Sequence, residues 1–242
     1  MAGELITNAP RRALAVYAHP DDPEVSCGGL LARWAAAGSE VHAVVATRGD
    51  KGSADPLTDP TELASRRARE VDAAADVLGL AGVELLGHPD GELAGKTELV
   101  EELVGLVRRF RPDVVVGVDP TAVFFGDGYV NHVDHRVVGW ATLDAVAPAA
   151  SSPLYFPGQG PAHQVATLLL SGTLEPDTWA DVEGTLDTKV AAMFCHRSQM
   201  GDDAGEWLGD FVRQRAAEEG RRAGVRFAEG FRRIRLVPEE AS

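Results

Sequence analysis

The chain has 242 residues, 45% of them hydrophobic, which is enough apolar material for a full core in one large α/β domain or two small ones. Its formal net charge of −14 argues against a nucleic-acid partner, because phosphate binding needs clustered cations. No run of about 18 apolar residues occurs, so no membrane span is expected.

The N-terminal "MAGELITNAPRR" lacks a basic region followed by an apolar one, so no secretory signal is expected. Cys27 and Cys195 stand far apart and outside any C-x-x-C pattern. They suit a reducing cytoplasm better than a disulfide framework, and Cys27 reads as a small packed hydrophobe.

Residues 13–18, "ALAVYA", form a short apolar run that stops abruptly, as a buried parallel strand does. "CGGLLARWAAAG" then has helical spacing and closes on Gly38, a C-cap residue by type. Residues 40–47 read as a second strand and "RGDKGSADPLTDP" as a loop. The helix over 61–79 opens with a capping box at Thr61 and ends at Gly79. "VELLG" is a third strand, "TELVEELVGLVRRFRP" a helix stopped by Pro112, and 113–118 a fourth strand. This alternation predicts βαβ units: a Rossmann-like α/β fold with a mostly parallel sheet and helices on both faces. Beyond residue 150, "HQVATLLLSG" and "GVRFAEGFRRIRLV" read as later strands flanking two helices. The arginines of that last region are offset by glutamates, which fits a solvated helix face. No linker, repeat or low-complexity tract breaks the chain, so residues 1–242 are taken as one domain.

Ligands in open parallel sheets bind beyond the carboxyl ends of the strands. His19, Asp21 and Asp22 follow the first strand there; His132, Asp134 and His135 follow the fourth and open a helix. Either motif alone is an ordinary turn or cap, whereas two converging on one crevice make a metal centre. Two imidazoles and a carboxylate, here His19, Asp22 and His135, are the ligand set of many catalytic zinc sites. Such a metal lowers the pKa of water from about 15.7 to near 7. Asp21 is a spare carboxylate for the general base. His132 can stabilise an oxyanion or protonate a leaving amine, and Asp134 can orient one of the histidines. Together they describe metal-assisted hydrolysis of an amide or ester.

At these residues the sequence resembles the PIG-L/LmbE-like deacetylase family. The likeness runs through "AHPDD" at 18–22, the following Gly-Gly helix, "ATRGDKGS" at 46–53 and "HPDGEL" at 88–93. It continues through "HVDHRVVG" at 132–139 and "KVAAMFCHRSQ" at 189–199. The resemblance implies a Rossmann-like fold, zinc, and removal of N-acyl groups from small amino-sugar conjugates such as N-acetylglucosamine glycosides. It implies His19, Asp22 and His135 as ligands, Asp21 as base and His132 as the histidine facing the tetrahedral intermediate. It also implies substrate contacts from Arg67, with Arg66 and Arg69 as competitors, and from Asp90. His196 falls at a family position near the pocket, where it either touches substrate or holds the fold. Pro23 before Glu24, Val133 in place of a proline and the offset of Tyr129 depart from the family pattern, and they leave the substrate open.

Other residues carry blander readings. "HPDG" at 88–91 is a turn lining the pocket, His42 a packed or surface histidine, and His163 a partnerless residue opening a strand. "FFGDG" is no phosphate loop, and no G-x-G-x-x-G follows a strand, so no nucleotide cofactor is expected. Rival functions are an amidase of glucosaminyl thiol conjugates and a metal- or ligand-binding module without turnover, against which the spare Asp21 and His132 speak. Fe(II) or Co(II) suit the same ligands as Zn(II), and a homo-oligomer remains open.

Overall fold

Five of the six residues of strand β2 (Arg12–Tyr17) are buried, as a strand covered on both faces must be. Successive side chains alternate between the faces. Ala13, Ala15 and Tyr17 join one core cluster with Leu30, Leu31, Trp34 and Phe231. Leu14 and Val16 join another with Leu103, Val107, Val138 and Ala141.

The computed structural model describes residues 3–93, 96–201 and 205–237. Strand β1 (Glu4–Leu5) precedes β2, which is followed by helix α1 (Asp22–Ala36), β3 (Glu40–Thr47), α2 (Pro60–Leu78), β4 (Gly82–His88), α3 (Lys96–Phe110) and β5 (Val114–Val118). A small hairpin, β6 (Phe124–Phe125) and β7 (Tyr129–Val130), leads into α4 (Val133–Asp144). Then come β8 (Thr167–Ser171), β9 (Thr178–Asp181), α5 (Leu186–Met193), α6 (Arg197–Met200), α7 (Gly205–Ala223) and β10 (Ala228–Arg235).

One eight-stranded sheet runs in the order β1-β9-β10-β8-β5-β2-β3-β4. The five strands from β8 to β4 pair in parallel, while β10 runs antiparallel to both β8 and β9. Helices α1, α5 and α7 cover one face; α3 and α4 cover the other. This is the expected mostly parallel α/β sheet. Among the described residues no helix is long and apolar enough to cross a membrane.

Local differences from the sequence reading have simple causes. Helix α2 starts at Pro60 and its cap is Asp59, whose carboxylate accepts from the Thr61 N–H at 2.7 Å; the predicted capping box at Thr61 yields to the Asp-Pro pair. Gly79 does close it, at φ 73°. Strand β8 begins four residues after His163, whose Nε2 bonds the Pro112 carbonyl at 2.8 Å. His42 stacks on Phe110 with 4.2 Å between ring centroids, a packing role. Strands β1 and β9 are too short, at two and four residues, for their sequence pattern to mark them.

Candidate metal centre and active site

Strand β2 lies between β3 and β5, so the chain leaving β2 and the chain leaving β5 turn to opposite sides of the sheet. That switch point opens the crevice in which α/β sheets bind ligands. The His19–Asp22 turn follows β2 and the Asn131–His135 segment follows β5.

The turn is tightly folded. The His19 N–H donates to Asp22 Oδ2 at 2.7 Å, and the Asp22 N–H donates to the His19 carbonyl at 3.2 Å. Asp21, the N-cap of α1, has φ 96°, a left-handed conformation rare outside glycine. Such strain costs on the order of 1–3 kcal/mol and persists where surrounding structure enforces it.

Three side chains from the two motifs converge. His19 Nδ1 is 3.1 Å from His135 Nε2 and 3.4 Å from Asp22 Oδ2, and His135 Nε2 is 3.2 Å from Asp22 Oδ1. Ligand atoms at Zn–N and Zn–O distances of 2.0–2.1 Å around a tetrahedral ion lie about 3.3 Å apart. The separations, taken to one or the other Asp22 oxygen, are of that size, and one ligand atom from each residue lies within 4.8 Å of the others, so the residues fit a divalent cation. His19, His132 and Asp134 form a second group of suitable atoms within reach of one another. There His132 Nδ1 already accepts from the Asp134 N–H at 3.2 Å, and Asp134 Oδ2 accepts from the Gly91 N–H at 2.7 Å. The first group is the one the sequence motifs predict as the metal centre.

Each histidine is held from behind. Nδ1 of His135 meets Asn131 Oδ1 at 2.8 Å, and Asn131 Nδ2 donates to the Ala122 carbonyl at 2.9 Å. That contact leaves His135 Nε2 free to face the centre. Sequence reasoning missed Asn131; its spacing of four residues from His135, one helical turn, was the available signal. Nε2 of His19 lies 3.2 Å from Asp90 and 3.4 Å from Asp134, both off the line of a hydrogen bond. Asp134 thus backs His19. Asp90 does too, and its N–H donates to Asp50 at 2.9 Å.

The electrostatics are those of a cation trap. Burial disfavours a charged His19, but Asp134, Asp22 and Asp90 outweigh it and push its pKa up to about 12. Burial also works against ionised Asp22, yet His135 and His19 hold it well below the usual carboxylate range. Asp21 behaves oppositely: burial and the neighbouring Asp22 raise it to about 7, with Arg67 and His196 pulling down. Without a cation the Asp21 carboxyl titrates near neutrality, and a cation at the centre would draw it down toward the ionised form that a general base needs.

His132 caps α4, and its Nδ1 accepts a hydrogen bond, so the neutral ring carries its proton on Nε2. Burial and the positive charge of His19 lower its pKa, although Asp134 and Asp90 pull the other way. The motif suggests that the carboxylates would win and keep this ring charged; they do not, because burial and the charge of His19 outweigh them.

A cavity of about 370 Å³ opens over the site, lined by His19, Asp21, Arg67, Asp90, His132 and Gln199, with Lys51 and two glycines beside them. The guanidinium of Arg67 is buried and largely engaged: it donates to the Pro20 carbonyl at 2.6 Å and the Gly49 carbonyl at 3.0 Å, and lies 3.5 Å from Asp21. It buttresses the turn as well as lining the cavity. His196 does not reach the cavity. It is fully buried, with Nε2 3.1 Å from Glu24, so of its two sequence readings the geometry favours holding the fold.

Residues 14–146 match the model of the GlcNAc-PI de-N-acetylase (PIG-L) family. The chain is 30% identical over 235 residues to the diacetylchitobiose deacetylase of Thermococcus kodakarensis, covering 96% of this chain and 85% of that one. It is also 30% identical over 247 residues to the 1D-myo-inositol 2-acetamido-2-deoxy-alpha-D-glucopyranoside deacetylase of Rhodococcus jostii, covering 78% and 82%. In structure it is similar to the N,N'-diacetylchitobiose deacetylase of Pyrococcus horikoshii, solved with an inhibitor: TM-score 0.84 at 30% identity over 93% of this chain and 84% of that one. The chain belongs to the PIG-L deacetylase family.

Proposed function

We propose that this protein is a zinc-dependent N-deacetylase acting on a small N-acetylglucosamine conjugate. The observation that carries the proposal is the convergence of His19, Asp22 and His135 at ligand-to-ligand distances, with Asp21 beside them. A divalent cation held by those three residues supplies Lewis acidity at the acyl carbonyl and an acidified water. Zinc suits two imidazoles and a carboxylate, and iron(II) suits them too.

The residues divide the remaining work. Ionised Asp21 takes a proton from the water as its oxygen attacks the acyl carbon. The Nε2–H of His132 donates to the carbonyl oxygen as negative charge develops there, a contribution of about 10²–10³-fold in comparable oxyanion sites. When the carbon–nitrogen bond breaks, Asp21 returns its proton to the departing nitrogen, and the products are acetate and a free amine. Arg67 holds the turn that carries Asp21. The cavity is at the small end of the range for ligand sites, about 300–1,000 Å³, and its Lys51, Asp90 and Gln199 offer polar partners for sugar hydroxyls.

The relatives' substrates, diacetylchitobiose and a GlcNAc-inositol, support an amino-sugar substrate for this chain. The eight-stranded sheet draws on strands from Glu4 to Arg235, in keeping with one domain. The free cysteines suit a reducing cytoplasm. A panel of N-acetylated sugars and acylated glucosaminyl thiol conjugates, read by amine release, tests the proposal. Turnover of an N-acetyl sugar supports it; turnover of the thiol conjugates alone reassigns the substrate; none at all removes it.

A further inference from the structure

Helix α1 is broken one turn after the site. Cys27, with φ −145° and ψ 19°, departs from helical geometry. In an unbroken helix the Val25 carbonyl would accept from the Gly29 N–H. Here the Val25 carbonyl accepts from Lys189 Nζ at 2.9 Å, and the Gly29 N–H donates to Glu229 Oε1 at 3.0 Å. Lys189 Nζ and the same Glu229 oxygen are 2.6 Å apart. An ammonium and a carboxylate thus stand in series inside the gap of one helical hydrogen bond. Glu229 Oε2 takes the next orphan, the Leu30 N–H, at 2.8 Å.

The consecutive glycines of the first motif make room for this splice. A Cβ on Gly28 would come within 3.2 Å of Lys189 Cγ, and one on Gly29 within 3.1 Å of Glu229 Oε1 and 2.8 Å of Val182. Lys189 and Glu229 are 7% and 6% exposed, so the pair is desolvated. Buried ion pairs are seldom retained for stability, since apolar replacements often serve as well. What an apolar pair lacks here is the ability to satisfy three backbone groups at a set angle. The short segment ahead of the break carries Asp21 at its cap and Asp22 as its first residue.

We propose that Lys189 and Glu229 are positioning residues for the metal site: by splicing the break in α1 they fix the pose of the Asp21–Asp22 turn. The inference rests on the metal-site reading above. It says that residues from α5 and β10, touching neither metal nor substrate, control how well the site closes on its cation.

The test uses Glu229→Gln, the double variant Lys189→Met/Glu229→Gln, which leaves no lone buried charge, and Leu103→Ala as a core control on the opposite face of the sheet. Each is measured for zinc affinity by chelator competition, for the absorption spectrum of the cobalt(II)-loaded protein, and for urea midpoint. Both splice variants are expected to bind zinc about tenfold or more weakly, the range seen for outer-shell partners, with an altered cobalt spectrum and a lower kcat at similar KM. Leu103→Ala is expected to keep wild-type affinity and spectrum at an equal or lower midpoint. Splice variants that fold and retain wild-type affinity and spectrum overturn the inference, as does a control that loses them equally. If the wild type binds no zinc, the failure lies with the metal-site reading itself.

Discussion

Nδ1 of His19 stands 3.1 Å from Nε2 of His135, across 116 residues of sequence. Two imidazole nitrogens that close, with Asp22 against both, form a site that a proton or a metal ion can occupy, but not both. With its pKa pushed up to about 12 by Asp134, Asp22 and Asp90 against the effect of burial, His19 holds a proton at pH 8 when no cation is bound. Zinc binding at pH 8 should therefore release about one proton, and affinity should rise with pH. Calorimetry in buffers of different ionisation enthalpy measures this; zero release is the contrary result.

Asp21→Asn preserves shape, since Asn tolerates a left-handed φ, but it cannot take a proton. The expected loss in kcat is about 10²–10⁴-fold with metal content unchanged. Stability should move the other way. The carboxyl of Asp21 titrates near 7 in the fold against 3.8 unperturbed, so the native state binds more protons between those values and stability falls as pH rises through them. At pH 8 the metal-free variant should unfold at higher urea than the wild type. Loss of zinc from the variant would show instead that Asp21 is a ligand.

Against burial and Asp22, Arg67 pulls the Asp21 pKa down more strongly than His196 does. Arg67→Met should raise that pKa, so the acid limb of the pH–rate profile shifts to higher pH. A limb that stays in place while the plateau drops would leave Arg67 only its bonds to Pro20 and Gly49.

His132→Ala should lower kcat about 10²–10³-fold with metal content near wild type. Because burial, and the positive charge of His19 or of the cation that would replace its proton, disfavour a charged His132, it should contribute no high-pH limb near neutrality. A wild-type profile that falls between pH 7 and 8, flattened by this substitution, would show a working imidazolium.

Much of this site was legible because its chemistry is local to two short motifs and the sheet topology is periodic. The apolar runs at 13–18 and 113–118 announced parallel strands, and a histidine with two carboxylates after one of them exceeds what a turn needs. What stayed hidden depends on distant partners. Asp134 backs His19, 115 positions away, rather than a histidine of its own motif. Glu229 reaches Gly29 across 200 residues, and nothing local marks it as a helix cap. His196 falls in a family segment near the pocket, yet it turns inward to Glu24, a choice made by packing rather than by pattern.

On the proposed reading, N-deacetylation depends on a cation held by His19, Asp22 and His135. The decisive experiment follows acetate release from N,N'-diacetylchitobiose in wild type and His135→Ala before chelation, after it, and after returning one equivalent of zinc. Wild-type activity should vanish on chelation and return with zinc, while His135→Ala stays inactive throughout. Acetate release that survives chelation, or that persists in His135→Ala, would rule out a catalytic cation held by these residues.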